Sequence, residues 1–296
     1  MSNPKISIGM PVYNGSIYIE EAINSVLNQT FKDFELIISD NASIDDTENI
    51  CNKYLALDSR IHYIRQNKNI GGINNFKFVL DNSSGKYFMW LAADDALGNI
   101  DFLKSLNDKI SEKYDFYFPE VSILNFKNEI ISPNTMQSFL RCETKIDFLE
   151  VSLSQNSMHL YSLFLKSNLV EDWKYLELCK NLKHCNEGLF VHAINAQRKG
   201  IFVNNAMKLY RQHKDNWASK VSGKNLILSQ MSYALKTINL ILSLNYIPFL
   251  KKIQFFIKII YSSLKASTYF ALNRLWHKLG FERFSSLKKV INKLRI

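Results

Sequence analysis

Four cysteines in 296 residues, Cys51, Cys142, Cys179 and Cys185, form no C-x-x-C pair, and His184 beside Cys185 has neither the spacing nor the ligand count of a zinc site. A disulfide scaffold and a zinc knot are thereby excluded. The N-terminus MSNPKISIGM lacks the charged and apolar regions of a signal peptide, so the chain is expected in the cytoplasm with reduced thiols. No apolar run is long enough to cross a bilayer. The longest charge-free apolar block, Thr237 to Leu250, falls short of the roughly 20 residues a spanning helix needs. The glycine cradle G-x-G-x-x-G is missing too. The first strand is followed by PVYNGS, which argues against a dinucleotide-binding Rossmann domain. A diphosphate bound here needs its charge neutralised in another way, and a divalent ion on a carboxylate is the evident means. Acids are scarce only in the last part of the chain. From Lys214 onward there are 15 Lys and Arg against Asp215 and Glu282, a net +13, whereas the first 213 residues hold 22 against 25. Nucleic-acid binders carry such charge on the recognition fold itself, so nucleic acid is not the expected partner.

What is present is a rhythm. Lys5 to Val12 reads as a buried strand, and Ile19, Ala22, Ile23, Val26 and Leu27 fall on one helical face within Ile17 to Gln29. Strands follow at Phe34 to Ser39, Ile61 to Arg65 and Tyr87 to Leu91, with helices over Asp45 to Ala56 and Ile73 to Leu80. Ser43 with Asp46 three residues on matches a capping box. Strands alternating with helices in this way predict an α/β fold with a wound, mostly parallel sheet flanked by helices. With 47% hydrophobic and 13% aromatic residues the chain has a core to bury, as one large domain or one domain with an appendage.

The stretch around which the rest is arranged is GKYFMWLAADDAL, Gly85 to Leu97. An aromatic strand delivers two acids, Asp94 and Asp95, to its carboxyl end, where ligands of open α/β sheets collect. Their plain alternative is to cap a helix beginning near Ile100.

Four pieces in order, strand-PVYN, Ser39-Asp40-Asn41-Ala42-Ser43 with Asp45-Asp46-Thr47, Asn69-x-Gly71 with Asn75, and Gly85-Lys86-Tyr87 leading to Leu91-Ala92-Ala93-Asp94-Asp95, resemble the family 2 glycosyltransferases of the GT-A fold. The resemblance is strong over residues 4 to 100 and loose over 101 to 213. It implies inverting transfer of a sugar from a nucleotide diphosphate donor, UDP-linked, to a hydroxyl of a glycan or lipid-linked saccharide, as in O-antigen or capsule synthesis. It further implies that Pro11, Val12 and Tyr13 line the nucleobase and that Asp40 accepts a ring N–H. Asn69, Gly71 and Asn75 lie near base and diphosphate in this reading, with Ala93, Asp94 and Arg211 completing the donor site. Mn²⁺ or Mg²⁺ is expected on Asp94, with Asp95 and His213 as further ligands. Glu187, opening the run Leu189 to Lys199, matches the general base, and Asp172 is held in reserve. Each has a plainer alternative: Asp40, Asn41 and Gly71 as turn residues, Glu187 as a helix N-terminal charge, His213 as a structural histidine. The sequence departs from the family pattern at Ala92, where the first acid of Asp-x-Asp usually stands. That leaves open a catalytically degenerate nucleotide-sugar or glycan binder, and less readily a nucleotidyltransferase.

The expected organisation is a 1–215 domain, its 1–100 half for nucleotide and its 101–215 half for acceptor, followed by an amphipathic, basic, helical region over 216–296. Lysines interleaved with leucines and aromatics suit helices lying at an anionic membrane face, making the enzyme peripheral at the inner face of the cell membrane. The alternatives are packing on the domain or pairing between subunits.

Overall fold

The computed structural model describes residues 3–125, 129–132, 142, 144–154, 158–177, 186–211 and 223–261. Four parallel strands lead: β1 (Ile6–Val12), β2 (Phe34–Asp40), β3 (Ile61–Arg65) and β4 (Tyr87–Trp90), separated by α1 (Ile19–Leu27), α2 (Thr47–Leu57) and α3 (Gly72–Asp81). After β4 come β5 (Ala96–Leu97), α4 (Phe102–Lys109), β6 (Phe116–Leu124), β7 (Ile130–Ser132) and α5 (Lys145–Ser154). A 3₁₀ turn, Met158–Tyr161, leads to β8 (Leu163–Leu165), α6 (Lys166–Glu177), α7 (Asn186–Gln197), β9 (Gly200–Arg211) and α8 (Gly223–Ser243). One sheet runs through both expected halves in the order β3-β2-β1-β4-β8-β6-β9-β5, with β7 paired to β6. Among the described residues the antiparallel pairings are those made by β8, β5 and β7.

Every residue of β2 is buried, because helices cover both faces, and strands of this kind read as continuous apolar runs. Alternate side chains part to opposite sides. Ile6, Ile8, Met10, Leu36, Ile38 and Met89 join α1, α2 and α4, whereas Ile37, Phe88 and Trp90 join α3, α5, α6 and α7. Trp90 is fully buried and is ringed by Phe76, Phe88, Phe164, Trp173 and Phe190 at 4.9–6.4 Å between centroids. Its indole N–H donates to the Phe76 carbonyl at 3.1 Å, which satisfies the one polar atom such a core cannot leave bare. This cluster anchors the strand β4, whose exit leads to Asp94.

Beyond β9, α8 and a helix over residues 249–261 follow, parted near Pro248 as proline dictates. They pack on α5 and α7 through Leu149, Ala196, Ile238, Ile241, Phe255 and Ile259. Among the described residues no helix is long and apolar enough to cross a membrane. Residues 262–296 lie outside the described set.

Candidate active site

Register brings the strand ends together. Val12 pairs with Asp40 and Asp40 with Arg65, so β1, β2 and β3 end in one row. Trp90 pairs with Gly9, and the chain leaving β4 turns at the level where β1 ends, Asp95 N donating to the Ala92 carbonyl at 3.1 Å.

The loop after β1 is stitched to the loop after β2. Asn14 N donates to Ser43 Oγ (2.8 Å), Gly15 N to Thr47 Oγ1 (2.9 Å) and Ser16 N to Asp45 Oδ2 (3.0 Å). Ile44 N answers by donating to Asn14 Oδ1 at 2.9 Å. Asn14 and Ala42 sit in the left-handed region, with φ of 54° and 60°, at the two bends this lacing requires. The expected capping box does not form. Ser43 is spent on Asn14, Asp46 makes no cap bond, and the helix begins at Thr47. Burial opposes ionisation of Asp45, but hydrogen bonds from Thr47 and Ser16 outweigh it and hold the carboxyl below its ordinary value. Gly15 sits where the end of β1 meets the turn after β4: a Cβ there would lie 2.5 Å from Val12 Cγ2 and 3.5 Å from Ala93 Cβ. Tyr13, at the mouth of this loop, is half exposed.

Asp40 is fully buried. Its carboxylate accepts from Ser43 N (2.8 Å), Tyr63 Oη (2.9 Å) and Arg65 Nη1 (2.7 Å). Burial first, then the Asp40 charge, pushes the Tyr63 phenol well above its usual range. Asn41 reaches the next loop, its Nδ2 donating to Asn69 Oδ1 at 3.0 Å while Ile70 N donates to its Oδ1 at 2.7 Å. Asn69 Oδ1 also takes Gly71 N at 2.9 Å, and Gly71 has φ of 84°, open to glycine at no cost. Asn75 is buried. It accepts from Ser39 Oγ at 2.6 Å and donates to the Ser39 carbonyl at 2.9 Å, so its amide ties α3 to the end of β2.

The adjacent acids have different surroundings. Asp94 is partly exposed, and its carbonyl accepts from Arg211 Nε at 3.1 Å. Asp95 is withdrawn into the interior, with Lys208 Nζ 2.5 Å from its Oδ2 and Arg211 N donating to its Oδ1 at 3.0 Å. Burial pushes the Asp95 carboxyl up, against the pull of Lys208. Lys208 is equally buried and lies 3.1 Å from the Tyr161 ring centroid. Neither acid caps α4, which starts after Asp101. Arg211 is buried as well. Its Nη2 donates to Glu21 at 2.7 Å and its guanidinium sits over Tyr18, so it faces α1 and the strand end. Asp95 and Arg211 thus form a clamp on the turn that carries Asp94.

Asp172, the reserve base, is also committed. Arg198 Nε and Nη2 grip its two oxygens at 3.0 and 3.2 Å, and burial still pushes the carboxyl up. Glu187 is the second residue of α7; its side chain, the side chain of His159, and His184, His213, Cys179 and Cys185 lie outside the described set. Burial raises the Cys51 thiol to about 12 and the Cys142 thiol to about 11, which leaves both unreactive. Among the described residues no three His, Cys, Asp or Glu side chains converge as a metal cage. The donor set is one part-exposed carboxylate, which suits Mg²⁺ or Mn²⁺ completed by phosphate oxygens and water. Lys208, Tyr18, Glu21, Tyr63 and Arg65 escaped sequence reasoning. The signal for Lys208 was a lysine inside a β-patterned segment, where a charge must find a partner.

A family model described as Glycosyl transferase family 2 matches residues 7–165. A GalNAc(5)-diNAcBac-PP-undecaprenol beta-1,3-glucosyltransferase of Campylobacter jejuni is 29% identical over 232 residues, 78% of this chain and 72% of that one. An uncharacterized glycosyltransferase of Rickettsia prowazekii is 42% identical over 94 residues, 31% of this chain and 28% of the relative. Among solved structures, residues 1–349 of S. aureus TarS in complex with UDP-GlcNAc superpose with a TM-score of 0.65 at 20% identity, covering 86% of this chain and 71% of that one. The mannosyltransferase PcManGT of Pyrobaculum calidifontis, in complex with GDP-Man and Mn²⁺, gives 0.52 at 13% identity, covering 94% and 81%.

Proposed function

This chain belongs to glycosyl transferase family 2, and we propose that it transfers a sugar from a UDP-linked donor to a hydroxyl of a lipid-linked saccharide or glycan, with inversion. The observation that carries this is the meeting of the Tyr13 loop, the Asp40 row and the Asp94 turn at the carboxyl ends of β1, β2 and β4, where a nucleotide is held in α/β sheets. Support for the nucleotide comes from TarS, crystallised with UDP-GlcNAc and UDP. Support for the acceptor comes from the Campylobacter relative, whose name specifies a saccharide on PP-undecaprenol.

In this reading Pro11, Val12 and the Tyr13 ring flank the base, and Asp40 takes a ring N–H in exchange for Arg65, the more exposed of its side-chain donors. Asn69 and Gly71 shape the wall beside it. Asp94 would hold a divalent ion, Mn²⁺ or Mg²⁺, which when bound would supply Lewis-acid stabilisation of the leaving charge, and His213 is the further ligand the resemblance suggests. Glu187 takes the proton of the acceptor hydroxyl as its oxygen attacks the anomeric carbon and the bond to the diphosphate breaks. Ala92 favours one rival, a binding module without turnover.

Calorimetric titration with UDP, with and without Mn²⁺, tests the reading. Mn²⁺-dependent binding lost in Asp94→Asn is the expected result, followed by donor turnover that the same substitution abolishes. Metal-independent binding without turnover assigns the binding module, and no binding of UDP, GDP, dTDP or CMP overturns both.

A further inference from the structure

The helix over residues 249–261 is apolar on two faces, and among the described residues only one is packed. Phe255 and Ile259 point into the contact with α5, α7 and α8. On the other side Phe249, Leu250, Ile253, Phe256, Ile257 and Ile260 are exposed, Phe249 and Leu250 by 74% and 73%. At 100° per residue these six span roughly 120° of the helix surface. Scattered exposed apolar residues are ordinary, but a continuous stripe of this size marks a contact.

The lysines are arranged to match. Lys251 and Lys258 lie on the flank nearest α5, where both reach Glu150, and Lys252 lies on the opposite flank, donating to the Leu242 carbonyl at 2.9 Å. Two cations on one carboxylate leave a positive rim beside the apolar stripe. The sequence around it is positive throughout, 15 basic residues against 2 acids from Lys214 to the end. A second copy of the same surface would meet that charge with its own, whereas an anionic lipid surface complements both the stripe and its rim.

We infer that this helix lies in the interface of an anionic membrane, its Phe249–Ile257–Ile260 side among the acyl chains and its lysines at the headgroup level. The core contacts of Phe255 and Ile259 fix the rest of the protein to that surface, so the site of transfer is carried at the membrane instead of meeting it by diffusion. This inference stands without the transfer reaction, since it uses neither donor nor acceptor.

Co-sedimentation of the full chain with vesicles tests it. Vesicles of phosphatidylglycerol and phosphatidylethanolamine should bind the wild type at least about tenfold more tightly than phosphatidylcholine vesicles, with the difference shrinking at high salt. Phe249→Ser combined with Ile257→Ser should weaken that binding about tenfold or more, with circular dichroism and UDP affinity unchanged. Wild-type protein that ignores anionic vesicles overturns the inference, as does a double variant that binds them equally well. A wild-type dimer that the double variant dissolves, with vesicle binding unaltered, overturns it in favour of a subunit interface.

Discussion

Lys208 Nζ lies 2.5 Å from Asp95 Oδ2, and both side chains are 1% exposed. The pair joins β9 to the turn after β4, next to Asp94. Buried ions are held by each other, so removing one leaves the other without compensation. Lys208→Met should cost about 3–5 kcal/mol of unfolding free energy, and Asp95→Asn with Lys208→Met should restore most of it, read by denaturant titration. If the clamp assignment is right, the double variant keeps Mn²⁺-dependent UDP binding within a few-fold. Loss of metal dependence in a stable double variant returns Asp95 to the ligand set.

Asp45 presents a second test, at the lacing of the two strand-end loops. Asp45→Ala removes the acceptor of Ser16 N and Thr47 Oγ1, and should cost about 1–2 kcal/mol while raising the UDP dissociation constant as the Tyr13 loop loosens. Its carboxyl is held below its ordinary value in the fold, so its contribution is present above the unfolded value of about 4 and is lost as pH falls through the lower folded value. The wild-type minus variant difference should therefore be full at neutral pH and vanish in strong acid. A difference that does not change with pH removes Asp45 as the charged tie.

His192 gives the C-terminal helices their own pH dependence. It is buried between Ser152 Oγ at 3.0 Å and Tyr233 Oη at 2.5 Å, linking α5, α7 and α8, and burial lowers its pKa to about 3. The unfolded chain takes up a proton near pH 6.5, and the folded one does not until about 3. Stability therefore falls as pH drops through that window, by about 2 kcal/mol between pH 7 and pH 5. Unfolding curves at the two pH values check it, and His192→Gln should shrink the difference by about that amount.

The strands β1 to β4 and the row of strand ends were legible in sequence because buried parallel strands are apolar on both faces and their turns carry Asn, Asp and Gly. The resemblance to family 2 rested on those same turns, and the family match over residues 7–165 bears it out. What escaped was long-range pairing. Nothing local tells that Lys208 lies beside Asp95, that Arg211 turns to Glu21, or that Ser43 serves Asn14 and not its own helix, since each partner is brought by a different strand. The single sheet spanning both expected halves escaped for the same reason, as β9 inserts beside β6 only after the chain has passed through α5, α6 and α7.

The base assignment separates Glu187 from Asp172 by what each substitution disturbs. Asp172 is gripped at both oxygens by Arg198, which also reaches Glu171 at 2.6 Å, so Asp172→Asn should destabilise the fold by about 3 kcal/mol and leave kcat of the surviving folded enzyme near that of wild type. Glu187, in the first turn of α7, should behave in the opposite way. Glu187→Gln preserves shape and hydrogen bonding but removes the proton acceptor, so kcat should fall by about 10²–10⁴ with UDP affinity and melting temperature unchanged. Turnover measured beside calorimetry on both variants decides between them. If Asp172→Asn abolishes kcat without affecting stability, Arg198 is tuning a base and not tying α6 to the end of α7.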